Sequence, residues 1–176
     1  MKILNTKFKD LKILKGKTFF DKRGYFREIY KNKLIDKNKP LFWCISKSKK
    51  NVLRGLHLQK KKSQAKFVSV LRGKILDIVV DLRINSTTFG KHFKIVLSEK
   101  NSKSIFIPKG FAHGFLGLDV ENIVLYSNDS YRSKKDEIGI MWNDKKLKIK
   151  WPKKKLIISQ KDKRNLSFDQ YLSKIK

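Results

Sequence analysis

The feature that most constrains this chain is a succession of short apolar segments, each closed by a turn residue, running from about Lys66 onward. QAKFVSVLRGKILDIVVDLR (64–83) reads as two strands around a turn at Arg72-Gly73. β-Branched and apolar residues fill both arms, and glycine frees the backbone between them. Along 75–82 the side chains alternate, with Ile75, Asp77, Val79 and Asp81 on one face and Leu76, Ile78, Val80 and Leu82 on the other. An inward Asp77 needs a partner, so its face belongs either to solvent or to a functional cavity. The same pattern predicts strands at 92–97, 104–108, 112–118 and 122–129, with turns at Gly90, Asn101 and Gly110. Short strands, frequent turns and no fixed repeat indicate an all-β sandwich or barrel. A small jelly roll with an open mouth is the best architecture, and such mouths hold ligands. The segment 159–176 is more helical in pattern, and LSFDQYLSKI within it predicts a short amphipathic helix.

A chain of 176 residues with 40% hydrophobic composition fits one domain, 1–176, with a real core. Its apolar runs are broken by charges and too short for a membrane-spanning helix. The N-terminus lacks the apolar block of a signal peptide. The one cysteine, Cys44, cannot form an internal disulfide, which fits a reducing cytoplasm. A formal net charge of +29 invites a polyanion-binding reading. Yet lysine supplies 37 of the 44 basic residues, scattered from Lys2 to Lys176 with small clusters at 60–62 and 153–155. Arginine, whose planar fork reads phosphates and bases, is the scarce one. A-rich codon usage produces the same lysine excess with no binding role.

Chemistry enters with RGLHLQ (54–59), which carries one of only three histidines. A lone histidine in an apolar strand is usually a satisfied core residue, and His92 in KHFKIV reads most simply as a surface strand residue. His57 stands in different company. FFDKRGYFREIY (19–30), VLRGLHLQ (52–59), the 64–83 pair, STTFGK (86–91), IPKGFAHGF (107–115) and IGIMWNDKKLKIKW (138–151) follow one another in order. Together they closely resemble the dTDP-4-dehydrorhamnose 3,5-epimerase family, a metal-free cupin group, over about residues 8–162.

The resemblance implies a cupin-type jelly roll with short C-terminal helices. It also implies a homodimer in which N-terminal strands, within about 1–30, cross to the partner and Arg23 serves the neighbour's site. The implied activity is epimerisation of a nucleotide-diphospho-4-keto-6-deoxy sugar at carbons 3 and 5, for surface polysaccharide synthesis, with no cofactor. Each step removes a proton beside a carbonyl and returns one to the opposite face, which needs a base, an acid and a holder for the enolate. By resemblance His57 is the base, and Asp162 fixes its tautomer as the aspartate of a triad does. Tyr126 is the acid, with Tyr131 as competitor, and Lys66 sits near the ketone. Arg23 and Arg54 serve the diphosphate or nearby substrate, Phe26 lies against the base and Glu28 accepts from it. Gln59 and His113 complete the substrate pocket.

Taken without the resemblance, Asp162 in QKDKR is a solvated loop charge, Tyr126 is strand packing and Lys66 is one lysine among many. A metal cupin would place nitrogen ligands around His57, whereas two histidines and a glutamine make a poor divalent site. In one place the chain departs from the family. Phe42 and Cys44 stand where relatives carry a glutamine and an asparagine that touch thymidine, so the carrier nucleotide stays open. Two other readings remain: a single-site epimerase or 3,4-ketoisomerase on a related sugar nucleotide, and a non-enzymatic basic β-domain. The second would use Phe19, Phe20, Tyr25 and Phe26 with Lys22 and Arg23 as a stacking platform. Scattered charge and the lack of a nucleic-acid module argue against it.

Overall fold

A computed structural model describes residues 1–31, 40–152 and 155–175; Lys153, Lys154 and Lys176, part of the lysine pattern above, lie outside the described residues. Two sheets face each other. The first has the order β1 (Lys2–Asn5), β2 (Lys12–Lys15), β10 (Lys103–Ile107), β7 (Lys66–Arg72), β12 (Glu121–Asn128), β5 (Phe42–Lys49). The second runs β13 (Glu137–Gly139), β6 (Val52–Gln59), β11 (Phe111–Gly117), β8 (Lys74–Asp81), β9 (His92–Ser98), and β14 (Ile157–Ile158) lies parallel to the start of β6. A separate hairpin, β3 (Thr18–Asp21) with β4 (Gly24–Arg27), stands apart from both. Two short helices, α1 (Gln160–Lys163) and α2 (Phe168–Ile175), follow β14. This is the all-β jelly-roll architecture with C-terminal helices.

Each strand expected between Lys66 and Asp129 is present within a residue of its expected bounds. Gly73 makes the β7–β8 turn at φ +80°, where an added Cβ would lie 2.1 Å from the Glu121 carbonyl oxygen. β5 was not anticipated, because FWCISKSK mixes aromatic, apolar and charged residues. It nevertheless pairs along its full length with β12, from Glu121↔Lys49 to Asn128↔Phe42.

β8 explains the core. Ile75 and Val79 pack between the sheets with Val68, Val70, Ile105, Phe111, Phe115 and Val124. Leu76, Ile78, Val80 and Leu82 face the other way, under Ile140, Leu147, Phe168 and Tyr171 of the C-terminal segment. Both faces of β8 are therefore dry, and the solvent reading of the Asp77 face is corrected. Asp77 is 1% exposed and bonded to His113. Burying Phe168 and Tyr171 on that outer face contributes about 1.5–3 kcal/mol each. His92 is likewise not a plain surface residue. It is half-buried, with Nδ1 3.0 Å from the Leu147 carbonyl, which ties the C-terminal segment to β9.

Candidate active site

β6 and β11 come unusually close, and this places two histidines side by side. Gly55 takes φ +125°, and an added Cβ there would sit 2.5 Å from the Gly114 Cα. That close approach gives the glycine of RGLH its structural role. Two positions further along, His57 and His113 are direct cross-strand partners.

His57 Nε2 lies 2.6 Å from Asp162 Oδ1. The carboxylate arrives from 105 residues away. β14 brings the chain back along β6, and Ser159 caps α1 by accepting the Asp162 N–H at 3.0 Å. Asp162 is 4% exposed, not a solvated loop charge. Burial pushes its carboxyl up, but the bonds from His57, the Gly55 N–H and Ser159 outweigh this and hold it below its ordinary value. An ionised carboxylate only accepts, so the imidazole proton sits on Nε2 and the Nδ1 lone pair is the basic one.

His113 forms a second pair, Nε2 to Asp77 Oδ2 at 2.7 Å, sealed between strands of one sheet. Its ring meets that of Tyr126 edge-on, with centroids 6.2 Å apart. Tyr126 comes from the opposite sheet, on β12, with Lys66 on β7 and Cys44 beside it in register on β5. Burial pushes the Tyr126 phenol well above its ordinary range, partly offset by a 3.3 Å contact with Ser46 Oγ. Lys66 keeps part of its surface open to the cavity but lies within the sandwich. Desolvation pulls its ammonium down to about 8, against the pull of Glu137 and Asp77.

His57, Asp162, His113, Tyr126, Lys66 and Cys44 line one cavity of about 610 Å³, together with Phe42, Arg54, Gln59, Gln64, Arg132, Glu137 and Lys161; Asp77 lies behind His113 and outside that lining. Arg54 donates to Ser48 Oγ at 2.9 Å and to the Lys47 carbonyl at 3.2 Å, which holds its guanidinium at the rim. Gln59 is buried, with its amide bonded to backbone groups of the protein. Tyr131 is not among the lining residues; it is 64% exposed and packs against Phe42, with centroids 6.2 Å apart. Arg132, Glu137 and Lys161 escaped the sequence reading, since YRSKKDE and SQKDK look like ordinary charged loops. Here Glu137 accepts from Arg132 at 2.7 and 2.9 Å and pairs with Lys161. No group of three or more His, Cys, Asp or Glu side chains among the described residues could hold a metal.

Arg23, Phe26 and Glu28 do not join this cavity. Arg23 tips the β3–β4 hairpin and pairs with Asp21 at 2.6 Å, and Phe26 is 68% exposed beside Phe19. Glu28 pairs with Lys31 at 2.9 Å. The hairpin carries its aromatics outward, away from the chain's own pocket.

Comparison with known proteins decides what such a cavity belongs to. Residues 5–170 match the family model of dTDP-4-dehydrorhamnose 3,5-epimerase. The chain belongs to that family. It is 39% identical over 168 residues to the dTDP-4-dehydrorhamnose 3,5-epimerase of Shigella flexneri, covering 92% of this chain and 93% of the relative. The crystal structure of the Bacillus anthracis enzyme of that name, with TDP and PPi bound, superposes with TM-score 0.91 at 39% identity, covering 95% and 99% of the two chains. The Legionella pneumophila dTDP-6-deoxy-D-glucose-3,5-epimerase, solved with dTDP-4-keto-L-rhamnose, gives TM-score 0.90 at 37% identity, covering 93% and 90%. Among the described residues of this family member, no helix is long and apolar enough to cross a membrane.

Proposed function

We propose that this family member epimerises a nucleotide-diphospho-4-keto-6-deoxy sugar at carbons 3 and 5, and that the cavity residues above perform the chemistry. The observation that carries this reading is His57 of one sheet, paired with Asp162 of α1, facing Tyr126 and Lys66 of the other sheet. His57 Nδ1 takes the proton from the carbon beside the ketone while Asp162 steadies the imidazolium that forms. The electron pair moves onto the ketone oxygen, and the Lys66 ammonium holds the enolate. Tyr126, kept protonated by burial, gives its proton to the opposite face of the carbon and recovers one from solvent. The His57 imidazolium releases its proton to solvent, and the cycle repeats at the second flanking carbon. Incubation in heavy water should label both flanking positions, and His57→Asn should abolish labelling without loss of fold. Rapid exchange by that variant would overturn the assignment of the base. A product epimerised at one carbon alone, seen by proton NMR, would favour the single-site reading.

The carrier is a deoxythymidine diphosphate on the strength of the relatives' bound ligands, even though Phe42 and Cys44 line the cavity. A thermal-shift panel of dTDP, UDP, CDP and GDP tests this, since binding to the folded state raises the melting temperature. A larger shift with GDP than with dTDP would reject it. The working unit is a homodimer. The exposed rings of Phe19, Phe20, Tyr25 and Phe26 cover a neighbour, and Arg23, Phe26 and Glu28 complete that neighbour's cavity. A fully active monomer in sedimentation would rule this out. The enzyme works in the cytoplasm, upstream of surface polysaccharide assembly. Export of the folded enzyme from its cell of origin would contradict that placement.

A further inference from the structure

We propose that Gln59 is a positioning residue: its amide grips the backbone on both sides of Arg132 and so presents that guanidinium to the anionic, carrier half of a sugar nucleotide. Gln59 Oε1 accepts the Ser133 N–H at 2.5 Å, and Nε2 donates to the Tyr131 carbonyl at 3.4 Å and to the Lys62 carbonyl at 2.8 Å. Tyr131 and Ser133 flank Arg132 in sequence, so one buried side chain holds the chain just before and just after it. A side-chain amide offers two N–H donors and an acceptor oxygen together, which a leucine or a carboxylate could not supply. Gln64 adds a second hold, its Nε2 donating to the Ser130 carbonyl at 2.7 Å.

The Arg132 side chain is then fixed from its other end. Nε and Nη2 both donate to Glu137 Oε2, and Glu137 is the cross-strand partner of Gln59 in the β13–β6 pairing. Nη1 has no hydrogen-bond partner among the described residues, although the side chain lines the cavity. Arg132 and Lys161 with Glu137 leave one net positive charge on this wall, and Arg54 adds another at the rim. A guanidinium held by one edge, with donors left over, suits diphosphate oxygens. Because none of these groups touches the reacting carbons in the mechanism above, their contribution is to ground-state binding.

The inference rests on the sugar-nucleotide reading of the cavity, and the test separates the two. Gln59→Leu, Arg132→Ala and the double variant are compared with the unaltered enzyme for kcat, KM, dTDP affinity and hydrogen exchange at the Ser133 amide. Each single change should raise KM and weaken dTDP about tenfold, the scale of one charge-assisted contact, with kcat within about threefold. The double variant should bind no worse than Arg132→Ala alone, because both changes remove one interaction. Exchange at Ser133 should speed up in Gln59→Leu and in the double variant, but not in Arg132→Ala alone. A fall in kcat at unchanged KM, multiplying effects in the double variant, or unchanged Ser133 exchange would each overturn the proposal. Arg132 is half-exposed, so its variant folds even where Gln59→Leu does not, and normal dTDP binding by Arg132→Ala would also overturn it. If the unaltered enzyme turned over no sugar nucleotide, the functional reading would fail while Ser133 exchange still judged the clamp.

Discussion

Two imidazole–carboxylate pairs lie side by side on adjacent strands, and they differ in what surrounds them. The His57 side chain is 29% exposed and opens onto the cavity, while that of His113 is 5% exposed. The partner of His57 comes from the C-terminal segment, and the partner of His113 is a neighbour in the same sheet. Asp162 has both carboxylate oxygens bonded, whereas Asp77 leaves Oδ1 buried without a partner among the described residues. A proton carrier needs a fixed tautomer, an open second nitrogen and a stable counter-ion. His57 has all three, and His113 is built to stay in place.

That contrast can be broken by experiment. His57→Asn should cost the most, roughly 10³–10⁴-fold in kcat, with melting almost unchanged, because general base catalysis has that scale. Asp162→Asn comes next: loss of the carboxylate removes tautomer control and should lower kcat by roughly 10²-fold or more while KM holds. Asp77→Asn should lower kcat by about tenfold or less but destabilise the fold by about 1–3 kcal/mol, since it disturbs a sealed hydrogen bond. Equal kinetic losses in Asp77→Asn and Asp162→Asn would make His113 a second proton carrier and erase the distinction.

The smallest effect is a matter of pH. With the Lys66 ammonium depressed to about 8, the charged form, to which the proposed mechanism assigns the enolate, prevails below that value and is lost above it. The kcat profile should therefore fall as pH rises through about 8. Lys66→Arg keeps the charge and should flatten that limb, though at a lower rate from altered geometry. An unchanged alkaline limb in Lys66→Arg would assign the descent to another group.

Legibility in the sequence followed the range of each interaction. Strand alternation acts over two residues, so β7 to β12 were readable from their own side chains, and Gly73 announced its turn. β5 was not, because its pattern makes sense only against β12 beside it. Asp77 was flagged as needing a partner, yet nothing local could name His113 on β11. Asp162 entered through resemblance alone, since a charge in QKDKR looks solvated until the chain folds back onto β6. Gln59 was expected at the substrate; it lines the cavity, and nothing in its local sequence foretold that its amide engages the backbone of the neighbouring loop.

By itself, then, the sequence determined a β-rich sandwich, and only its resemblance to a family singled out His57, Lys66 and Tyr126 as candidates for proton transfer. Only the tertiary structure decided which carboxylate serves which histidine, and that Arg132, Glu137 and Lys161 share the cavity wall. It also turned Arg23, Phe26 and Glu28 away from the chain's own pocket. The physical reason is distance along the chain: a side chain's pattern is local, but its pKa and its hydrogen-bond partner depend on what folding brings beside it from a hundred residues away.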